Sequence, residues 1–234
     1  MQPQSAYDKT PLRQITGNTL RPGGLALTGQ GLQLCAFAPG SRVLDLGCGP
    51  GATLSLLKKK GLTPIGLDHS PVLLNEARAH GVCIQADAAR LPIIHSSLDG
   101  VICECVISLL DDKPGVFQEL SRVLRKGGRM LFSDLFLRQP LPLDSPFACA
   151  RGATTREALS DYISDAGFSF LHIEDHTKHL RELAARIVWQ FGSMAAFAEL
   201  WHTGLPGSNP GLSCMHSGSG NLGYILFIAE KTGD

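Results

Sequence analysis

Short apolar runs alternate with amphipathic helical patterns along most of the chain beyond residue 40. The apolar runs predict strands over residues 42–46, 63–67, 82–85, 98–105, 129–135, 168–173 and 223–229. Helical patterns lie between them, over 52–60, from Pro71 with Ser70 as N-cap, over 113–125, and from a Thr154-x-x-Glu157 capping box to Gly167. Strands and helices that alternate at such short intervals predict a doubly wound α/β fold with a mostly parallel sheet.

Two segments depart from this alternation. Residues 1–39 are polar and turn-rich, with one apolar stretch over 25–37 that is too short for a core of its own. We therefore predict a single domain over residues 1–234, in which 1–39 forms a lid on a core over 40–234. Apolar residues at 3.6-residue spacing predict a long helical insertion at about 177–202. We expect that helix to pack on its own domain, with a partner or membrane face as the alternative.

Charge and cysteine content indicate which classes of partner and which compartment to expect. The 234 residues include 21 basic and 21 acidic side chains, so the formal net charge is zero. A nucleic-acid-binding protein usually has a basic excess, and the basic run here, Lys58 to Lys60, is typical of a helix C-terminus. The sequence has no apolar stretch of ~20 residues, the length that spans a membrane. Seven cysteines without disulfide spacing indicate a cytoplasmic protein. We expect a small-molecule partner and leave the oligomeric state open.

A glycine-rich segment follows the first predicted strand. Arg42-Val43-Leu44-Asp45-Leu46-Gly47-Cys48-Gly49-Pro50-Gly51 leads directly into a helical pattern. This order of strand, glycine loop and helix N-terminus is how an α/β sheet builds a nucleotide site. The spacing G-x-G-x-G differs from the dinucleotide and P-loop motifs. The acid just before the loop, Asp45, suits a ligand that carries positive charge.

Two more acids stand at the ends of the next strands. Asp68 follows Asp45 by 23 positions, at the tip of the second strand. Its two oxygens match the vicinal hydroxyls of a ribose. Asp87 lies just past the third strand. Each acid alone also fits a solvated turn, but acids at three successive strand ends, together with the glycine loop, predict a binding site at that edge.

These motifs resemble motif I and the acidic motifs of the class I S-adenosylmethionine-dependent methyltransferases. The resemblance implies a Rossmann-like sheet of seven strands in the order 3-2-1-4-5-7-6, with strand 7 antiparallel, and S-adenosylmethionine as the cofactor. Asp87, in Asp87-Ala88-Ala89-Arg90-Leu91-Pro92, should accept from the adenine amino group. Arg21 is a candidate clamp for the methionine carboxylate, or else a surface arginine. The predicted cofactor contacts are Arg21, Asp45, Gly47, Cys48, Gly49, Asp68, His69, Asp87, Ala88 and Glu104.

Residues 40–170 resemble the arsenite methyltransferases more specifically. Two segments carry this resemblance: Glu104-Cys105-Val106-Ile107-Ser108-Leu109 after the fourth strand, and Phe147-Ala148-Cys149-Ala150-Arg151-Gly152 before a helix that ends in Ala-Gly-Phe. In that family the two cysteines hold trivalent arsenic, and soft thiolates suit such a centre. The resemblance therefore implies Cys105 and Cys149 as the catalytic pair. Separately, Cys214 lies in a later Gly/Ser-rich loop and could reach the site as a third ligand. Glu104 stands where the family has asparagine.

The sequence leaves the identity of the methyl acceptor undetermined. Cys105 and Cys149 also fit small packing residues. Candidate bases are scattered, without a pair at diagnostic spacing: Glu104, Asp134, His69, His95, His172 and His176. The alternatives are an oxygen- or carbon-methyltransferase of a small-molecule pathway, and a non-catalytic module that binds S-adenosylmethionine or a metal.

Overall fold

The computed structural model of the chain describes residues 11–140, 145, 147–202 and 220–233. The strands in these ranges are β1 Arg42–Leu46, β2 Thr63–Asp68, β3 Val82–Gln85, β4 Leu98–Glu104, β5 Leu124–Leu137, β6 Thr154–Thr155, β7 Phe168–Asp175 and β8 Leu222–Lys231. The α-helices are α1 Arg13–Thr16, α2 Gly24–Cys35, α3 Ala52–Lys59, α4 Pro71–Ala77, α5 Lys113–Val123, α6 Ala148–Arg151, α7 Arg156–Asp165, α8 Thr177–Phe191 and α9 Met194–His202. None of the helices within these ranges is long and apolar enough to cross a membrane.

The strands form one sheet in the order β3-β2-β1-β4-β5-β8-β7. Pairing is parallel from β3 to β5, and β8 runs antiparallel to both β5 and β7. This confirms the predicted doubly wound fold and the predicted strand order. The seven predicted strands are the seven of this order, and off this path the two-residue β6 adds a parallel pair to Phe136 and Leu137 at the end of β5.

Apolar side chains cover both faces of the sheet. On one face, Phe132 stacks on Phe227 at 5.6 Å between ring centroids and meets Phe117 of α5 edge-on at 5.7 Å. Such pairs add about 0.5–1.5 kcal/mol each beyond the area they bury. The other face buries Leu131 and Tyr224 against α2 and α3. The carboxyl ends of β1, β2, β3 and β4 are therefore held at one edge by a core on both sides.

The segment before β1 contributes to this second core. Leu27, Leu32 and Cys35 of α2 are buried among side chains of β1, β4, β5 and β8. Gly31 lies so close to Leu131 that a Cβ there would collide with it. Residues 24–35 are thus a layer of the core. Residues 11–23, which also belong to the predicted lid, precede this layer.

Three local predictions need correction. The N-cap of α7 is Thr155, whose hydroxyl accepts from the Ala158 amide at 3.2 Å, because Thr154 is taken up by β6. The helical insertion is two helices, α8 and α9, since the chain breaks at Gly192 with φ +81°. Strand β5 begins directly after α5 and runs through Gly127, earlier than the predicted start at residue 129.

Candidate functional site

The loop after β1 depends on glycine at two positions. The φ angle is +69° at Gly47 and +52° at Gly49. A residue with a side chain would be strained in this region of backbone angles. A Cβ on Gly47 would collide with Val106, whereas a Cβ on Gly49 would meet Leu20 at an ordinary 3.9 Å. The Gly47 amide donates to the Leu67 carbonyl at the end of β2, at 2.7 Å. The loop is therefore fixed against β2 and leaves space above Gly49.

Asp68 ends β2 and joins the glycine loop to helix α4. Its Oδ2 accepts from the Gly49 amide at 2.8 Å, and its Oδ1 accepts from the Ser70 amide at 2.9 Å. Burial raises the pKa of the Asp68 carboxyl, while the bonds from Ser70 and Gly49 oppose that rise. A carboxylate has about four lone-pair sites, so Asp68 keeps capacity for a ligand hydroxyl.

Asp45 of β1 is a buried acid with an unused oxygen. The residue is 4% exposed, and within the described ranges its Oδ2 has no hydrogen-bond partner. Burial raises the pKa of the Asp45 carboxyl well above its ordinary value; Arg21 lowers it and Glu104 adds to the rise. Buried polar atoms in folded proteins nearly always have partners, so this oxygen indicates a missing ligand group.

Arg21 is buried and ion-paired, which excludes the surface interpretation. Its Nη2 lies 2.7 Å from Glu104 Oε2 and donates to the hydroxyls of Thr28 and Thr53 at 2.6 and 3.0 Å. The Thr28 hydroxyl in turn lies 3.0 Å from Glu104 Oε1. The Arg21 Nε is buried without a hydrogen-bond partner in the described part of the chain. The guanidinium is thus held from one side and retains a donor for another group.

A cavity of about 400 Å³ opens at this edge of the sheet. All ten residues predicted to contact a cofactor line it, from Arg21 to Glu104. Asp87 is exposed at the rim, where its side chain also accepts from the Ala89 amide at 2.9 Å. Among the described lining residues, four carboxylates face one guanidinium. The cavity is therefore suited to a ligand that carries positive charge.

Cys105 lies on the cavity wall, one residue beyond the observed end of β4. Its φ is +57°, a conformation that residues other than glycine seldom adopt. The thiol donates to the Tyr224 hydroxyl at 3.3 Å. Burial and the nearby Asp134 raise the pKa of the Cys105 thiol, and the Tyr224 hydroxyl lowers it. Strained residues cluster at functional sites, so Cys105 is a candidate site residue.

Cys149 lies in α6, close to Cys105 but not on the cavity wall. Both cysteines are partly buried and pack against the same hydrophobic cluster, which includes Leu135 and Tyr224. The structure thus brings the predicted pair to the same face of the sheet. Cys214 lies outside the described residues. Within those residues, no three His, Cys, Asp or Glu side chains are grouped to hold a metal ion.

Most of the scattered candidate bases lie away from the cavity. The Asp134 carboxylate accepts from the Ser108 hydroxyl and amide at 2.6 and 3.0 Å, so it caps the turn after β4. His176 is buried at the corner between β7 and α8, 3.2 Å from Glu174. Of the proposed bases, Glu104 and His69 line the cavity.

Some site residues carried no local signal in the sequence. Tyr224 and Ser133 belong to apolar strands, and their hydroxyls meet at 3.0 Å beside Cys105. Leu20, Asn18 and Thr19 line the cavity from the turn after α1. The sequence patterns did not identify Ser133 or Tyr224, because a lone polar residue in an apolar strand is at most a weak signal.

A methyltransferase domain family matches residues 44–132. The arsenite methyltransferase of Halobacterium salinarum is 34% identical over 156 residues, which are 59% of this chain and 40% of that protein. An O-methyltransferase of Pyrenophora dematioidea is 27% identical over 214 residues, covering 83% of this chain and 76% of that protein. The chain therefore spans less than half of the first relative and about three quarters of the second.

Solved structures show the same fold. The phosphoethanolamine N-methyltransferase 2 of Haemonchus contortus, in complex with S-adenosyl-L-methionine, superposes with a TM-score of 0.76. That comparison covers 97% of this chain and 56% of the other at 21% identity. The methyltransferase domain matched over residues 44–132 includes the glycine loop, the three strand-end acids and Cys105. Residues 44–132 of the chain thus match a methyltransferase domain family, and the described fold is that of a solved methyltransferase.

Proposed function

We propose that this chain transfers a methyl group from S-adenosylmethionine to a small molecule. The observation that carries the proposal is the cavity in which four carboxylates and a glycine loop face one guanidinium. S-adenosylmethionine, when bound, supplies an electrophilic methyl group on a positively charged sulfur. A pyrophosphate ligand would be repelled by the same carboxylates, which argues against a dinucleotide in this cavity.

The residues present fit that cofactor. Asp45 and Arg21 both line the cavity, and among the described residues the Asp45 Oδ2 and the Arg21 Nε have no hydrogen-bond partner, so they offer one acceptor and one donor. We propose that Arg21 binds the methionine carboxylate through this donor, while Glu104 holds the other side of the guanidinium. Asp68 would accept from the ribose hydroxyls and Asp87 from the adenine amino group. Gly47, Cys48, Gly49, His69 and Ala88 would form the surrounding walls.

For the acceptor, we propose a soft, thiophilic centre such as trivalent arsenic, bound by Cys105 and Cys149. Three observations support this: both cysteines pack on one cluster, Cys105 lines the cavity, and the arsenite methyltransferase of H. salinarum is a relative. Trivalent arsenic brings its own lone pair, so the reaction needs no base at the acceptor atom. The protein would position the acceptor and exclude water.

A hydroxyl acceptor is the second candidate. Relatives include O-methyltransferases of P. dematioidea and Aspergillus sclerotiorum. Burial raises the pKa of the Glu104 carboxyl, against the lowering effect of Arg21, and Glu104 lines the cavity. A carboxylate with a raised pKa is suited to accept a proton from an acceptor hydroxyl.

We also propose that residues 11–23 act as a lid. Leu20 lies over the glycine loop and also packs against the α8–α9 cluster. Two contacts hold α1 in place: Arg13 pairs with Glu76 of α4 at 2.7 Å, and Arg186 of α8 donates to the Ile15 carbonyl. The six described cysteines are free thiols, which supports a reducing compartment such as the cytoplasm.

Calorimetry with S-adenosylmethionine tests the cofactor site. Asp68→Ala removes the proposed ribose contact, and we expect binding to weaken by about 1–3 kcal/mol, the cost of leaving buried donors unpaired. Asp161→Ala, an exposed aspartate on α7, is the control and should bind like the wild type. Unchanged affinity for Asp68→Ala would contradict the assignment. Turnover with arsenite and with hydroxyl acceptors then separates the two acceptor classes.

A further inference from the structure

A row of polar groups runs through the apolar core from Cys105 toward Glu104. The Cys105 thiol donates to the Tyr224 hydroxyl at 3.3 Å, and the Tyr224 hydroxyl lies 3.0 Å from the Ser133 hydroxyl. Ser133 stands opposite Glu104 in the register of β5 and β4, and its hydroxyl lowers the pKa of the Glu104 carboxyl. Arg21 and Thr28 hold the far side of that carboxylate.

The middle of this row of polar groups is shielded from water. Tyr224 and Ser133 are fully buried, and Glu104 is 7% exposed. Around them lie Leu131, Leu226 and Ile102, so water has little access to the two hydroxyls. On the side of Cys105 that faces away from the cavity, a proton that leaves the thiol meets these two hydroxyls rather than water. Each hydroxyl can donate and accept, so either group of the Tyr224–Ser133 pair can be the donor, and the pair can pass a proton on.

We infer that Tyr224 and Ser133 form a proton relay that connects the Cys105 thiol to Glu104, which makes them positioning residues for the acceptor side of the cavity. The thiol proton passes to Tyr224, the Tyr224 proton to Ser133 and the Ser133 proton to Glu104. The electron pair of the broken S–H bond stays on sulfur, and Glu104 ends as the neutral acid. No oxidant or further reactant is needed.

The use of the relay rests on the proposed function. If Cys105 captures a thiophilic acceptor that carries a hydroxyl, a sulfur–acceptor bond forms and the acceptor–oxygen bond breaks. The proton held by Glu104 can then return to the departing hydroxide, which leaves as water. This gives Glu104 a role that the asparagine of the arsenite methyltransferases cannot perform, because an amide does not accept a proton at ordinary pH.

Other ionisable groups also face Cys105 and set its resting state. They are Asp134 of β5, Cys149 of α6, Tyr224 of β8 and Arg21 of the turn before α2. Asp134 and Cys149 raise the pKa of the thiol, while Tyr224 and Arg21 lower it. Burial has the largest effect and raises it, so Cys105 rests as a neutral thiol whose proton must be removed.

The test is the pH dependence of Cys105 alkylation by iodoacetamide in the full-length protein, followed by mass spectrometry of the peptide. With a relay, the wild-type rate rises in two steps. The lower step follows the ionisation of Glu104, and the upper step follows that of Cys105. Ser133→Ala and Tyr224→Phe interrupt the relay, so we expect each to lose the lower step and to slow alkylation below the upper step by roughly tenfold or more.

The two variants also differ from each other. Tyr224→Phe removes the hydroxyl that lowers the pKa of Cys105, so its upper step should move to higher pH, whereas Ser133→Ala should leave it in place. Glu104→Gln should lose the lower step as well, provided that it folds with Arg21 unpaired. Tyr162→Phe, a partly buried tyrosine on the other face of the sheet, is the matched control.

A single-step wild-type profile, or a lower step that persists in Ser133→Ala and Tyr224→Phe, would overturn the relay. Thermal unfolding of each variant shows whether the fold is intact. The assay contains neither cofactor nor acceptor, so its outcome is independent of whether the chain methylates arsenic or any other molecule. A failed relay with intact methyl transfer, and an intact relay without methyl transfer, are therefore distinguishable results.

Discussion

The ends of β1 to β3 and the ends of β4 and β5 form two sides of one cavity, and they are built in different ways. On the first side, the glycine loop, Asp68 and Asp87 lie at the ends of successive strands. Asp68 accepts from the Gly49 and Ser70 amides, and Asp87 accepts from the Ala89 amide. On the second side, Cys105 meets Cys149 and Tyr224 from remote parts of the chain. Local sequence therefore determines the first side, and tertiary packing determines the second.

This difference fits the proposed roles of the two sides, the first in binding the cofactor and the second in binding the acceptor. An invariant cofactor can be bound by backbone groups and a few acids, which need only the strand-to-loop geometry. An acceptor that differs between related enzymes is recognised by side chains that the fold brings together. Arg21 connects the two sides, because it pairs with Glu104 while it lines the cavity.

Breaking that connection should have the largest effect. Arg21→Met leaves Glu104 buried without its charged partner, and we expect a loss of about 3–5 kcal/mol in the free energy of unfolding. Arg13→Met removes the exposed pair with Glu76 and should cost at most about 1 kcal/mol. Urea denaturation of both variants measures the contrast. Equal losses would show that the buried pair is not what joins the two sides.

Gly47→Ala tests the local construction of the cofactor side. The new Cβ would be strained at φ +69° and would collide with Val106 of the acceptor side, so we expect a loss of about 2–4 kcal/mol. Gly61→Ala has a similar φ of +75° but open space around it, and should lose only about 1–2 kcal/mol from backbone strain. If both variants lose the same stability, the contact with Val106 contributes nothing.

Asp45→Asn should separate stability from binding, with a smaller effect. The pKa of Asp45 is raised in the folded protein, so the folded state holds this proton to higher pH than the unfolded chain. Stability therefore falls as the pH rises from the ordinary aspartate value through the raised one. We expect Asp45→Asn to be more stable than the wild type at about pH 8 and equal to it near pH 3, while binding S-adenosylmethionine more weakly.

The control for this prediction is Asp161→Asn, which changes an exposed carboxyl on α7 and should be about as stable as the wild type at pH 8. A variant at position 45 that is less stable than the wild type at pH 8 would show that the Asp45 carboxylate already has a partner in the folded protein.

The smallest expected effect concerns the lid. Saturating S-adenosylhomocysteine should slow amide hydrogen exchange in α1 and in the turn over Gly17–Thr19, because Leu20 covers the glycine loop. Amides of α7, on the far side of the sheet, should exchange at an unchanged rate. Equal exchange at α1 with and without ligand would contradict closure over the cofactor.

The same contrast explains what the sequence could and could not predict. Apolar periodicity located the main strands, and Asp45, Asp68 and Asp87 were identifiable because each stands at a strand end. Burial of Arg21 was not predictable, since its partner Glu104 is remote in sequence and the lead segment reads as a loop. The break at Gly192 was missed because apolar spacing continues across it, and β6 was too short to produce a pattern.

The account is tested most directly by a crystal structure of the protein soaked with S-adenosylhomocysteine and trivalent arsenic. We expect the ribose at Asp68, the adenine at Asp87, and arsenic bound to the sulfurs of Cys105 and Cys149 at roughly 2.3 Å, the usual thiolate–metal distance. Arsenic missing from an otherwise occupied site would exclude that acceptor. S-adenosylhomocysteine bound elsewhere, or not bound at all, would contradict the assignment of this cavity as the methyl-donor site.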